Sequence, residues 1–137
     1  MSELNTVATW LTGLFVGDAT LHAVVADRIY DTLAPSTATY PLIVFQFQGG
    51  HDVATVSTER ILVDGEWLVR AIDQAETFTD DLKTAADRIN ALLQGQSGSP
   101  AGGTVYMADR RQPYQLVESD AGVQYRHLGG IYRILAI

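Results

Sequence analysis

The chain of 137 residues contains no cysteine, which excludes disulfides and thiolate metal sites. It has no apolar run near the ~20 residues that a membrane-spanning helix needs. Its start, MSELNTVATWL, has neither the basic beginning nor the apolar stretch of a secretory signal, so the expected place of synthesis is the cytoplasm and no membrane partner is expected. Lysine is almost missing as well. Of nine basic residues only Lys83 is a lysine, and the other eight are arginines. Arginine makes planar, multi-donor contacts at interfaces, whereas lysine mostly solvates a free surface. Basic residues are outnumbered by sixteen acids, a formal charge of -7. That balance argues against gripping nucleic acid, which takes a basic face to displace counterions.

What is present is an ordinary globular composition, 47% hydrophobic and 18% charged, of a length that fits one domain over 1–137 with a real core. Leu4, Val7, Ala8, Leu11, Leu14 and Phe15 recur at helical spacing, predicting an N-terminal helix capped by Ser2 and ended by Gly17. Asp18 caps a short second helix carrying Leu21, Val24 and Val25, and Asp27 to Tyr30 reads as a short extended piece. After Tyr40-Pro41 a strand is expected from Leu42 to Gln48, with Gly49-Gly50 releasing a loop to about Ser57. Asp64-Gly65 is a strong hairpin dipeptide, but a hairpin there mixes both faces. One long strand instead puts Ile61, Val63, Gly65, Trp67, Val69 and Ala71 on a single apolar face after Glu59, and that reading is preferred.

The main helix is expected next, with Thr77 or Thr79 as cap, Asp80 and Asp81 in the first turn and Gly95 as left-handed stop. Its stripe is Phe78, Leu82, Ala85, Ala86, Ile89, Leu92 and Leu93. Gly95 to Gly103 reads as a flexible loop, followed by strands at Thr104 to Ala108 and, after Pro113, at Tyr114 to Glu118. Asp120-Ala121-Gly122 turns into a last strand whose apolar alternates change from Val123 and Tyr125 to Tyr132, Ile134 and Ala136 across Gly129-Gly130, predicting a β-bulge there. These elements imply an α+β fold, a mixed, mainly antiparallel sheet of four to five strands packed by one main helix and an N-terminal helix.

No reaction can be read from the residues. His22, His51 and His127 are isolated, whereas a metal site needs three or four converging ligands. Gly95-Gln96-Ser97-Gly98-Ser99 has serine where a nucleophile elbow requires glycine, and it follows a helix. Asp80-Asp81 already has a reason to open a helix, and the paired glycines lack a phosphate loop's lysine. No enzyme, cofactor or metal is therefore assigned. Interaction surfaces remain. The candidate contact residues are His51, Asp52, Val53 and Val56 in the loop after the first long strand, and Arg110, Arg111, Glu118 and Arg126 in the C-terminal quarter.

Taken in order, the N-terminal helix, Arg28-Ile29-Tyr30, Tyr40-Pro41-Leu42-Ile43-Val44-Phe45, Arg60-Ile61-Leu62, Ala86-Asp87-Arg88-Ile89 and Gly129-Gly130-Ile131-Tyr132-Arg133-Ile134 resemble the small tail-completion, or tail-terminator, proteins of long-tailed phages. The resemblance runs over nearly the whole chain. It implies a structural virion protein of the tail and neck whose copies form a hexameric ring. Such a ring caps the tail tube, ends its polymerisation and meets a head-side connector or stopper protein, while DNA passes through the lumen without specific binding. Two other readings stay open: a connector or stopper protein itself, and a small-molecule-binding domain with a cleft between main helix and sheet. On the ring reading, acids are expected to outnumber bases along the lumen.

Overall fold

A computed structural model describes residues 2–54, 56 and 60–137. Three helices, α1 (Ser2–Val16), α2 (Ala19–Val25) and α3 (Asp80–Leu93), accompany five strands: β1 (Ile29–Asp31), β2 (Leu42–Ala54), β3 (Arg60–Gln74), β4 (Val105–Asp120) and β5 (Val123–Ala136). The strands form one sheet in the order β1-β2-β3-β5-β4. β1 runs parallel to β2 and the other neighbours are antiparallel, the mixed α+β arrangement expected.

Local chemistry explains the helices. The Asp18 carboxylate accepts from Leu21 N at 3.1 Å and opens α2. Thr79, rather than Thr77, caps α3, its hydroxyl accepting from Leu82 N at 3.2 Å. Gly95 takes a positive φ of 71° just past that helix, and its N–H donates to Ala108 O at 2.8 Å, tying the helix end to β4. The side chain of Ser2, the expected cap of α1, lies outside the described residues.

All three helices pack on one face of the sheet. Leu11 and Phe15 of α1, Leu21 and Val25 of α2, and Leu82, Ala85, Ile89 and Leu93 of α3 are fully buried against Phe45, Trp67, Val69, Ala71, Tyr132 and Ile134. Each such aliphatic side chain contributes about 1.5–3 kcal/mol of burial. Because the four inward residues of α3 have 0% exposure, the space between main helix and sheet is filled, and the cleft expected of a small-molecule binder is absent there.

β3 is one continuous strand with Gly65 inside it, as its alternation required; Thr58 and Glu59 lie outside the described residues. Four other expectations are corrected. β2 does not stop at Gln48 but runs to Ala54, stepping its register between Phe47 and Gly49. A β-carbon on Gly50 would stand 2.2 Å from Asp64 O, so the glycine allows close strand approach instead of starting a loop. The two C-terminal segments around Pro113 are one strand, β4, in which an edge position tolerates the proline. Its register shifts lie at Tyr106 and Arg111, whereas β5 pairs with β3 without interruption through Gly129-Gly130. The bulge predicted in β5 is therefore in its partner. The apolar phase of β5 changes because different layers cover the two faces of the sheet along its length. Finally, the 95–103 loop is clamped: Gly98 and Val105 exchange both backbone hydrogen bonds, at 2.9 and 2.8 Å, and Gly98 leaves room for the Trp10 indole.

Candidate interaction surface on the open face of the sheet

Strand alternation decides which side chains can meet a partner. Opposite the helices, the sheet is covered only at one end, where Tyr30, Ala34, Ala38 and Tyr40 pack on Leu42, Val44 and Ile72, joined by Tyr125. Beyond that cover no helix lies on this face among the described residues. Register places Gln46 and His51 of β2, Asp64, Glu66, Leu68 and Arg70 of β3, His127, Ile131 and Arg133 of β5, and Tyr114 and Glu118 of β4 there.

Two polar ladders cross these strands. In the first, Arg70 donates through Nη1 to Gln46 Oε1 at 3.0 Å and through Nε to His127 Nδ1 at 3.1 Å, while His127 Nε2 meets Glu118 Oε1 at 2.6 Å. Since Nδ1 must accept from Arg70, the proton of neutral His127 belongs on Nε2 and is donated to Glu118. Burial pushes the His127 pKa below 6.5, Glu118 works in the opposite direction, and the Arg70 charge adds to the lowering. In the second ladder Asp64, 8% exposed, receives Arg133 Nε at 2.9 and 3.1 Å and Nη2 at 2.7 Å, with His51 Nε2 3.7 Å away. The Arg133 hydrogen bonds hold the Asp64 carboxyl below its ordinary value despite desolvation. Glu66 and Arg111 join His51, Asp64 and Arg133 around a shallow concavity of about 540 Å³.

Chemically, the polar groups of this surface are occupied with one another. Asp64 is committed to Arg133, and His127 uses both ring nitrogens on neighbours. Among the described residues no three His, Asp or Glu side chains gather as metal ligands.

Neither a protein-family model nor a curated protein matches the chain. A solved structure does. A chain in the virion of a native gene transfer agent particle superposes with a TM-score of 0.68, at 15% sequence identity, over 96% of this chain and 96% of that one. The two chains share one fold. Neither has a substantial part that lacks a counterpart in the other, so the open face and its ladders stand on the shared architecture and not on an added segment.

The expected contact residues fall on that framework in separate places. His51, Asp52 and Val53 belong to β2 and not to a loop, and only Val56, 108% exposed, sits in the turn. His51, Val53, Arg111 and Glu118 are on or beside the open face, whereas Asp52 pairs with Val63 on the helix side. Arg110 is exposed on the edge strand, with its stem against Gly130. Arg126 is turned inward: its guanidinium lies 5.1 Å from the Phe78 ring centroid and donates to Glu76 O at 2.6 Å and Gln124 Oε1 at 3.1 Å. The eight do not form one patch. Sequence reasoning did not single out Asp64, Arg70 or His127 as surface residues, although a signal existed: Asp64, Glu66 and Arg70 occupy the polar phase of β3, opposite to Trp67, Val69 and Ala71.

Proposed function

We propose that this chain is a structural virion protein, without enzymatic activity, whose copies close into a ring, hexameric as in tail terminators. The ring caps the tail tube, ends its polymerisation and joins the tail to the head-side connector. The observation that carries this reading is the end-to-end fold likeness to a virion chain, in agreement with the ordered residue resemblance to tail terminators. The physical logic is consistent. A subunit that uses one heterologous contact repeatedly forms a closed ring when the rotation closes, and closure prevents open polymers. A sheet face free of helices, with arginines and carboxylates held in preset geometry, is a surface suited to such a contact. A formal charge of -7 permits a lumen in which acids outnumber bases, past which phosphates move without being held.

The test is removal of the gene from an intact phage-like particle and measurement of tail lengths by electron microscopy. Loss of a terminator gives tubes that polymerise beyond the normal length. Tails of normal length on particles that leak DNA would place the chain at the connector or stopper instead, and normal infectious particles would remove it from the neck altogether.

A further inference from the structure

Where the covered end of the sheet meets the β4–β5 hairpin, the surface opens into a cavity of about 430 Å³. Its aromatic wall is Tyr40 and Tyr125, ring centroids 5.6 Å apart and tilted by 58°. Glu118 and Asp120 stand at its rim, and the buried Ile72 and His127 form its floor. Glu118 is half exposed and uses Oε1 alone on His127. No lysine or arginine lines the cavity, and His127 already accepts from Arg70 at Nδ1. Two tyrosine faces beside two carboxylates with no lining base make a receptor for a cation, and a flat guanidinium satisfies both, stacking on the rings and pairing with the carboxylate.

The chain supplies that cation itself. Arg28, Arg70, Arg88, Arg126 and Arg133 are hydrogen-bonded within the chain. Arg110 and Arg111, adjacent and exposed on β4, make no hydrogen bond to a carboxylate among the described residues, although the Arg111 charge helps to lower the Asp64 pKa across the concavity they share, and the Arg60 side chain lies outside the described residues. They cannot fill their own cavity. Arg111 and Glu118 lie on one strand, and at roughly 3.3 Å per residue their Cα atoms are about 23 Å apart.

We propose that the Tyr40, Tyr125, Glu118 and Asp120 cavity receives an arginine from the Arg110-Arg111 pair of a second copy of this chain. The inference rests on the ring reading only in expecting the contact to run head to tail.

The absence of cysteine makes a clean test possible. Ser119→Cys at the cavity and Gln112→Cys beside the arginines are also about 23 Å apart within one chain. A disulfide needs Cα atoms within about 7 Å, so every disulfide in the double variant joins two copies. Mild oxidation of the double variant should give a covalent ladder, while each single variant stays uncrosslinked. Adding R110S and R111S, or Y125A with E118Q, should lower the yield about tenfold, with circular dichroism confirming the fold. Glutamine at 118 keeps an oxygen for His127 and removes only the charge. Covalent dimers without higher rungs would uphold the cavity contact but overturn the head-to-tail ring. Oligomers of the expected mass without crosslinks, or a yield indifferent to the arginines, would overturn the cavity contact and leave the ring reading standing. No association even at about millimolar concentration, where contacts worth as little as ~4 kcal/mol are populated, would overturn the cavity contact as well.

Discussion

His127 makes the stability of this protein sensitive to mild acid, and the direction follows from its two neighbours. In the native state protonation at Nδ1 would set an N–H against the Arg70 Nε–H, now 3.1 Å away, and would charge a ring that is 5% exposed. The denatured chain has no such obstacle and takes up the proton near 6.5. Below that pH the denatured state binds more protons, so stability present above 6.5 is lost as pH falls toward the lowered native value. Between pH 7.5 and 5.0 the loss is at most about 2 kcal/mol, 1.36 kcal/mol for each unit below 6.5. For a domain of this size that is a shift of roughly 5–10 °C in Tm. Urea unfolding followed by the fluorescence of the buried Trp10 and Trp67 at the two pH values measures it. His127→Gln keeps an acceptor for Arg70 and a donor for Glu118 but does not titrate, so its stability should be nearly flat over this interval. His127→Leu should instead cost about 1–3 kcal/mol already at pH 7.5, because the Arg70 Nε–H loses its acceptor. His22 and His51 have side chains 61% and 71% exposed. An unchanged acid slope in His127→Gln would refute the assignment to the Arg70–His127–Glu118 ladder.

Two further variants test the packing. Ile89→Ala, at a position with 0% exposure in the centre of the α3 stripe, should cost 2–5 kcal/mol in urea unfolding without changing the helical signal of the folded state. Gly129→Ala and Gly130→Ala should differ although the residues are adjacent. A β-carbon on Gly129 would stand 2.1 Å from Val69 O, whereas on Gly130 it meets the movable Arg110 stem at 2.8 Å. The first substitution should therefore cost about 1–3 kcal/mol and the second clearly less, and equal melting temperatures would contradict the close-approach explanation of this pair.

The helices and β3 were legible because their signals are local and redundant. Leu82, Ala85, Ile89 and Leu93 repeat at helical spacing, and Thr79 and Gly95 mark both ends. Trp67, Val69 and Ala71 keep one phase through Gly65. The errors in β2, β4 and β5 lie at a glycine pair or a proline: Gly49-Gly50 and Pro113 suggest a strand end and Gly129-Gly130 a bulge, where the glycines in fact allow close strand approach and the proline sits on an edge strand. Gly50 lies against Asp64 O and Gly129 against Val69 O, contacts between residues distant in sequence that no local pattern reports. The apolar phase of β5 likewise records what covers each face. Tyr125 lies beneath the 30–40 segment, while Tyr132 and Ile134 lie beneath the helices. The candidate surface was hardest to foresee because its ladders take one residue from each of three or four strands. Arg70 and His127 are 57 positions apart, and only the register brings them together.

The edge strand then constrains how copies can meet. β4 is sixteen residues long; the 94–98 segment bonds to its outer side as far as Arg110, and beyond that point no strand pairs with it there among the described residues, which in a flat, regular strand would invite another chain to add on and continue the sheet. Three features oppose that. Pro113 has no N–H to donate, the register is stepped at Tyr106 and Arg111, and Arg110, Arg111, Glu118 and Asp120 place charges along the edge. An edge so interrupted disfavours association through backbone ladders and leaves it to side chains. Side-chain contacts fix an angle between copies, whereas strand addition tends to run on. The proposed ring, in which assembly stops at closure, needs the former, and the same β4 residues that interrupt the edge are those that carry the arginines and the carboxylates of the proposed contact.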